Sequence, residues 1–250
     1  MAQAAAASAP ADYGLDAPRV VRTMFSRALW TLAFAAVVYA INAAEYPGPA
    51  VRFAGAVALI AAGFAAAGFL MRWYSLAGKL RLRDQLIDSL ALEGGERVLD
   101  VGCGLGLLSI GIAKRLNKAG RVTGIDTWDP HRLSGNSLEA ARENAKREGI
   151  GDKLRYEAWN PAKLAYPDAH FDAVVSSLAF HTLPDLAERD QALGEIARVL
   201  KPGGRVLIHD VLHTGDIAKA LAAAGLNQVS VAPTTLLPYS LAGRVVTAGK

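Results

Sequence analysis

The sequence predicts an α/β fold, a seven-stranded and mostly parallel sheet with helices on both faces, preceded by two transmembrane helices. Two long uncharged runs near the N-terminus indicate the membrane helices. Beyond Gly95, short β-type runs alternate with helical stretches, which is the pattern of a parallel sheet covered by helices. Glycines cluster after the first of these β-type runs, where α/β folds bind their ligands.

Composition limits the class of protein. Hydrophobic residues make up 52% of the 250, a high share for a soluble domain. The excess positive charge is N-terminal, since residues 1–83 hold eight Lys or Arg against three Asp or Glu, and residues 84–250 hold 19 against 20. A near-neutral C-terminal part argues against a nucleic-acid substrate. The single cysteine excludes an intramolecular disulfide, and the five histidines show no metal-binding spacing, so we expect no metal.

The N-terminal part of the chain is expected to precede the globular domain. Residues 1–18 are Ala-rich without apolar periodicity, and we expect them to be a disordered tail. Residues 19–75 are expected to form a membrane-anchoring helical hairpin. Its uncharged runs at 28–44 and 53–71 each have about the length that crosses ~30 Å of hydrocarbon. The Pro and Gly residues between the runs predict the turn.

Basic residues flank the hairpin mainly on one side. Its first uncharged run is preceded by Arg19, Arg22 and Arg27, and its second is followed by Arg72, Lys79, Arg81 and Arg83, against Arg52 in the connection. The positive-inside rule then predicts that both chain ends, and the domain that follows, lie on the cytoplasmic side of a membrane. Two Ala-rich helices that cap a soluble domain remain the alternative, because alanine is only weakly hydrophobic.

Residues 76–250 are expected to form the globular domain. An amphipathic helix near residues 73–92 either lies on the membrane surface or packs on the first strand. Strands are predicted at 97–101, 121–125, 154–156, 172–176, 205–210, 228–231 and 244–247, and helices at 107–116, 137–148, 186–200 and 215–224. Because no helix separates the last two strands, one of them is expected to run antiparallel.

Three glycines follow the first strand at alternate positions, Gly102, Gly104 and Gly106. Such a run lets the backbone turn sharply and lets a ligand approach closely. Asp126 ends the second strand about 20 residues later, where α/β folds bind the ribose hydroxyls of a nucleotide. Both NAD and S-adenosylmethionine fit these features. Asp100 and the glycine spacing favour the latter, because a carboxylate here repels a pyrophosphate and attracts an amino-acid ammonium group.

The stretch that runs from Leu99 to Gly104, Leu-Asp-Val-Gly-Cys-Gly, resembles motif I of the class I S-adenosylmethionine-dependent methyltransferases. The resemblance continues through residues 159–181 and the turn at 198–208, and the domain is similar to the methyltransferases of quinone and sterol biosynthesis. It implies a Rossmann-like fold, S-adenosylmethionine as cofactor and a methyltransferase domain over residues 76–250. It does not specify the acceptor.

The resemblance also implies a set of cofactor-binding residues. In chain order they are Asp100, Gly102, Gly104, Gly106, Asp126, Thr127, Trp128, Asn160 and Ser176. Asp126 would bind the ribose, and Thr127 or Trp128 would cover the adenine. Packing beneath its own loop is the alternative for Trp128. Asn160 replaces an Asp common in the family and can accept from the adenine amino group through its carbonyl oxygen.

His181 follows the fourth strand at the ligand-binding end of the sheet and is the candidate general base. The alternative is a histidine that caps a helix or closes the pocket. His209 and His213 bracket the end of the fifth strand, near the expected acceptor side. A membrane hairpin favours a small, apolar or lipid-like acceptor. Two other functions remain open, namely methyl transfer to a water-soluble metabolite and binding of S-adenosylmethionine by a membrane protein without catalysis.

Overall fold

The computed structural model describes residues 10–129, 131–158, 163–183, 185–234 and 243–250. Its α-helices are α1 (Pro18–Asn42), α2 (Pro47–Trp73), α3 (Lys79–Ser89), α4 (Leu107–Arg115), α5 (Leu138–Arg147), α6 (Leu186–Val199) and α7 (Thr214–Ala223). Its strands are β1 (Arg97–Val101), β2 (Arg121–Asp126), β3 (Leu154–Ala158), β4 (Phe171–Ser177), β5 (Leu200–Asp210), β6 (Asn227–Pro233) and β7 (Arg244–Gly249). A π-helical turn, Tyr74–Gly78, joins α2 to α3, and a 3-10 turn, Phe180–Thr182, follows β4.

The seven strands form one sheet in the order β3-β2-β1-β4-β5-β7-β6. Strands β1 to β5 pair in parallel, and β7 runs antiparallel to both β5 and β6. The predicted Rossmann-like, mostly parallel sheet is therefore confirmed, and β7 is the strand that reverses. The strand order switches direction between β1 and β4, so the carboxyl ends of these strands border the crevice where α/β folds bind ligands.

Helices cover both faces of the sheet, because successive side chains along a strand point to opposite faces. On one face, Leu99 and Ile208 lie in a core with Leu193 of α6 and Leu221 of α7. Burying one such Leu or Ile side chain stabilises the fold by about 1.5–3 kcal/mol relative to leaving it exposed. This core, together with a second core on the opposite face, holds the strand ends in fixed positions.

Helix α3 belongs to the core on the other face. Leu86 and Ile87 cluster with Ile112 of α4 and Val98 of β1, and all four are buried. Of the two placements open for this amphipathic helix, the structure shows packing against the domain. Because α3 follows α2 after a single turn, this packing ties the end of the hairpin to the sheet.

Helices α1 and α2 pack against each other as an antiparallel hairpin. The ring centroids of Phe25 and Phe69 are 5.1 Å apart, and those of Phe34 and Phe53 are 6.4 Å apart. Large apolar side chains cover the outer surface, where Leu59 is 75% exposed. Both helices are long and apolar enough to cross a membrane, and only 6% and 11% of their most apolar windows is buried. A helix in the core of a soluble protein is mostly buried instead.

Residues 10–17 differ from the expected disordered tail, and we call them the N-terminal strap. The backbone N–H of Asp12 donates to Asn144 Oδ1 at 3.0 Å, and Asn144 Nδ2 donates back to the Asp12 carbonyl at 2.7 Å. Tyr13 is only 9% exposed. Asp16 forms an antiparallel bridge with Leu133. Long-range contacts of this kind leave no periodic pattern in a short segment, so composition alone misjudged it.

Candidate active site

Polar side chains gather at the carboxyl ends of four neighbouring strands, β2, β1, β4 and β5. Asp126 ends β2, Asp100 is the penultimate residue of β1, Ser177 ends β4 and Asp210 ends β5. Parallel strands bring their carboxyl ends to one edge of the sheet, so these residues lie close together. A cavity of about 570 Å³ opens at this edge.

The cavity has two ends of different composition. The loop end is formed by the glycine loop after β1 and the segment after β2, and its walls include Asp100, Gly102, Gly104, Asp126, Thr127 and Asn136. The hairpin end is formed by the start of α1, the end of α2, α3 and the turn after β4. Its walls include the apolar Val20, Met71, Tyr74, Leu82 and Leu86, the basic Arg19, Lys79 and Arg83, and His181. One cavity therefore joins the loop end to a wall of apolar and basic side chains from the hairpin and α3.

Asp100 lies deep in the loop end and is 1% exposed. Its Oδ2 accepts hydrogen bonds from the backbone N–H of Ser109 at 2.9 Å and from Ser109 Oγ at 2.5 Å. Burial raises the pKa of the Asp100 carboxyl to about 7, although both bonds from Ser109 act in the opposite direction. A positive group placed beside this carboxylate would lower its pKa again, so the position suits a cationic ligand group.

The glycines of the loop have positive φ for two different reasons. Gly102 has φ +72° and lines the cavity, and a Cβ there would collide with the Ala179 side chain. Gly106 has φ +88° and precedes α4, and a Cβ there would collide with the Tyr156 hydroxyl. Gly106 does not line the cavity, so its contribution is packing rather than ligand contact.

Asp126 lines the loop end and also fixes the loop itself. Its Oδ2 accepts from the backbone N–H of Gly104 at 2.9 Å, and its Oδ1 accepts from the backbone N–H of Trp128 at 2.7 Å. The carboxylate is 8% exposed and therefore held without competition from bulk water. These bonds join the tip of β2 to the turn after β1.

Asn136 is a buried cavity residue that the sequence did not reveal. Its Nδ2 donates to Asp126 Oδ1 at 3.3 Å and to the Asp129 carbonyl at 3.2 Å. Its Oδ1 is buried and has no hydrogen-bond partner among the described residues. An unpaired buried acceptor costs about 1–3 kcal/mol, which a ligand hydroxyl or amino group would offset.

The loop end fits S-adenosylmethionine in its donor and acceptor chemistry. Asp100 offers a carboxylate for an ammonium group, and Asp126 and Asn136 offer acceptors for nucleoside hydroxyl or amino groups. Between them, the glycine loop presents backbone without side chains. This arrangement suits a zwitterionic nucleoside better than a dinucleotide, whose pyrophosphate the carboxylates would repel.

Two predicted adenine-side residues have different surroundings. Thr127 is exposed and lines the cavity. Trp128 does not line it, because its ring packs edge-on against Tyr156 with centroids 6.2 Å apart. The Trp128 Nε1 atom is buried without a partner among the described residues. The geometry therefore matches the packing alternative for Trp128, and Asn160 lies outside the described residues.

Ser176 lies in the sheet rather than at the cavity wall. It is fully buried, and its Oγ donates to the Val101 carbonyl at 2.7 Å. Because side chains alternate along a strand, the neighbouring Ser177 is the residue that lines the cavity. The expected cofactor contact of Ser176 is thus replaced by a bond that joins β4 to β1.

His181 lies at the hairpin end and forms a dyad with a buried carboxylate. Its Nδ1 donates to Asp210 Oδ1 at 2.6 Å, and its backbone N–H donates to Asp210 Oδ2 at 3.0 Å. Asp210 is 0% exposed and also accepts from the backbone N–H of Val211. With the proton held on Nδ1, the Nε2 of a neutral His181 is an acceptor, and it has no hydrogen-bond partner in the described part of the chain. Asp210 was not predicted, because only the fold brings it to His181.

The other two histidines expected near the acceptor do not line the cavity. His209 is 2% exposed, and its Nδ1 is 3.0 Å from Ser177 Oγ. Burial lowers the pKa of His209 to about 4, so the ring is neutral at physiological pH. His213 is exposed at the start of α7. Neither therefore competes with His181 as a candidate base.

Lys79 fastens the N-terminal strap to the cavity. Its Nζ donates to the carbonyls of Tyr13 and Gly14, each at 2.7 Å, and lies 3.4 Å from Asp16 Oδ2. The side chain is buried, and burial lowers the pKa of its ammonium group. Tyr13 and Asp16 line the cavity, so this lysine holds one of its walls.

Within the described residues, no group of three His, Cys, Asp or Glu side chains is placed to hold a metal ion.

Comparison with known proteins shows that the central part of the chain is similar to methyltransferases. Residues 98–204 match the family model described as a methyltransferase domain. The chain is 35% identical over 144 residues to methyltransferase GfsG of Streptomyces halstedii, covering 56% of this chain and 48% of that protein. It is 34% identical over 133 residues to a demethylmenaquinone methyltransferase of Lactiplantibacillus plantarum, covering 53% and 52%. The chain thus spans about half the length of the curated relatives it matches.

A solved structure supports the same fold. The crystal structure of an S-adenosylmethionine-dependent methyltransferase from Aquifex aeolicus superposes with a TM-score of 0.55 at 22% identity, covering 66% of this chain and 88% of that one. At this identity the likeness concerns the fold alone. Residues 98–204 are thus similar to a methyltransferase domain, and the relatives and the shared fold support S-adenosylmethionine as the cofactor.

Proposed function

We propose that the chain is a membrane-anchored methyltransferase that transfers a methyl group from S-adenosylmethionine to a small apolar or lipid-like acceptor. In this proposal, residues 19–75 anchor the chain and residues 76–250 carry out methyl transfer. The basic residues beside the domain end of the hairpin support a cytoplasmic position for the domain.

One observation carries the proposal. The cavity that holds the predicted cofactor residues at its loop end is walled at its other end by Val20 of α1 and Met71 of α2. The hairpin therefore contributes to the substrate cavity itself, beyond any role as an anchor. Tyr74, Leu82 and Leu86 extend this wall, which suits an apolar acceptor body. One relative is named demethylmenaquinone methyltransferase, and its name gives a quinone as the acceptor.

The chemistry assigned to this site follows from the residues present. S-adenosylmethionine supplies an electrophilic methyl group on a sulfonium. Asp100 and the glycine loop would hold the amino-acid end of the cofactor, and Asp126 and Asn136 would hold the nucleoside. His181 Nε2 takes a proton from an acceptor hydroxyl or acidic C–H, and Asp210 keeps the imidazole in the required tautomer. The apolar walls exclude water and align the reactants.

The acceptor class is tested by incubating membranes that contain the full chain with S-adenosylmethionine labelled in its methyl group. We expect label in the lipid-extractable fraction, and less of it with membranes that contain His181→Ala. Label confined to water-soluble metabolites would contradict the apolar acceptor. Tight cofactor binding with no label in any fraction would show a binding protein without transferase activity.

The anchor is tested separately by lysis without detergent. We expect the full chain in the membrane pellet and its release by detergent but not by high salt. Recovery in the supernatant would show that α1 and α2 cap a soluble enzyme.

A further inference from the structure

A second cavity lies outside the active site, on the part of α1 nearest the domain. Its volume is about 570 Å³, and it is lined by Arg19, Arg22, Thr23, Ser26, Arg27, Trp30 and Thr31. These positions recur every three or four residues, so they share one face of the helix. We call this surface the basic groove.

The basic groove carries positive charge that the hairpin does not compensate. The chain holds no acidic residue between Asp16 and Glu45. Arg19 Nη2 lies 2.9 Å from His131 Nδ1, and the Arg27 guanidinium lies 5.9 Å from the ring centre of Phe64 on α2. Neither contact neutralises a guanidinium. The groove therefore attracts an anion with several acceptor oxygens.

The basic groove lies where the charged start of α1 meets its uncharged run. Arg27 is the last charged residue before Glu45, and Trp30 is 72% exposed beside it. In a hairpin that spans a bilayer, Arg and Trp side chains at such a boundary lie at the level of the lipid headgroups. The anions available at that level are lipid phosphates.

We infer that the basic groove binds the headgroup of an anionic phospholipid. Its guanidinium groups complement the phosphodiester, and they repel the additional cation that a zwitterionic headgroup carries. The exposed Trp30 ring adds an apolar surface for the upper part of the acyl chains, which free phosphate lacks. The inference rests on the membrane hairpin of the proposed function.

The bound lipid would lie beside the entrance to the active site. Arg19 lines both the basic groove and the active-site cavity. Its partner His131 also lines the active-site cavity, at the segment after β2. An acceptor that arrives from the membrane would pass the occupied groove on its way to the hairpin end.

Native mass spectrometry of the full chain in mild detergent tests this inference. The chain is titrated with phosphatidylglycerol or phosphatidylcholine of matched acyl chains, and bound lipid is counted. We expect phosphatidylglycerol to bind at about tenfold lower concentration or better, because each arginine near an anionic headgroup contributes roughly a fivefold preference. The double variant Arg22→Ala with Arg27→Ala should lose this preference.

Arg52→Ala is the matched control, since Arg52 is an exposed arginine of α2 outside the basic groove. It should keep the preference, and all variants should keep cofactor affinity, which shows that they are folded. Equal binding of the two lipids, or an equal loss with Arg52→Ala, would overturn the inference. Competition by millimolar inorganic phosphate would show a free-phosphate site and would also overturn it. The count needs no methyl transfer, so an active enzyme without lipid preference contradicts this inference alone.

Discussion

The two ends of the active-site cavity are built in different ways. The loop end comes from β1, β2 and the turns that follow them, and a short run of sequence supplies Asp100, Gly102 and Gly104. The hairpin end is assembled from distant segments, among them Val20 of α1 and Leu82 of α3. The loop end offers carboxylate and amide acceptors, whereas the hairpin end presents apolar side chains beside basic ones.

This difference follows the extent of the family match. The match to the methyltransferase family covers residues 98–204, which contain the loop end and His181. The N-terminal strap, the hairpin and α3 lie outside that match. We therefore expect cofactor binding to depend on the matched segment, and acceptor choice to depend also on segments outside it.

The largest expected effect is a loss of turnover when the base at the hairpin end is removed, with cofactor binding at the loop end unchanged. His181→Ala should lower kcat by about 10²–10⁴-fold, because a positioned general base contributes that much, and should leave cofactor affinity unchanged. Labelled methyl transfer and calorimetry measure the two quantities. Asp210→Asn should lower kcat by a smaller factor and alter the pH profile, since the amide no longer fixes the tautomer. A His181→Ala enzyme with normal kcat and raised KM would instead assign the histidine to acceptor binding.

The next effect is confined to the loop end. Asp100→Asn should weaken S-adenosylmethionine binding by about 10–100-fold, because a hydrogen-bonded charge is replaced by a neutral isostere that can still accept from Ser109. Burial raises the Asp100 pKa to about 7, so the carboxyl becomes neutral below that pH and loses its attraction for an ammonium group. Affinity of the wild-type chain should therefore rise about fivefold from pH 6 to pH 7.

Isothermal titration across this pH range measures both effects. Asp100→Asn should show no such rise, which makes it the control for the pH dependence. An equal slope in the variant and the wild type would assign the titration to another group.

The smallest expected effect comes from loosening the N-terminal strap, which should weaken binding at both ends of the cavity. Lys79→Met keeps an unbranched buried side chain but leaves the carbonyls of Tyr13 and Gly14 without their donor. We expect a loss of about 1–3 kcal/mol in the free energy of unfolding. Because the strap lines the cavity, cofactor Kd and acceptor KM should each rise by roughly severalfold. Lys219→Met, on the exposed face of α7, is the control, and equal behaviour of the two variants would show that the strap is dispensable.

The sequence predicted most of the fold because its signals are local. Strand β1 could be read from its own residues, and the lack of a helix between the last two strands predicted that one of them runs antiparallel. The strap was misjudged because its order depends on Asn144 and Lys79, which are distant in sequence. Strand β5 begins earlier than expected, at Leu200, because that residue pairs with Phe171 ahead of a register shift.

In the candidate site too, residues with a local sequence signal were predicted, and residues that depend on tertiary contacts were not. Asp100, Asp126 and His181 were placed near the cavity from their positions at strand ends, and the structure brings all three to its walls. Asp210 was missed because its contact with His181 joins segments that are distant in sequence, and Asn136 was missed because only the folding of the segment after β2 brings it back to Asp126. Asp210 at least ends a strand, whereas Asn136 lies ten residues after β2 and has no such signal.

The central claim is that the loop end holds a zwitterionic nucleoside that donates a methyl group. Calorimetric titration of the detergent-solubilised full chain tests it most directly. We predict saturable binding of S-adenosylmethionine and of its demethylated product, with no heat from NAD. Binding of NAD in a properly folded chain that gives no heat with either of the other two would contradict the account.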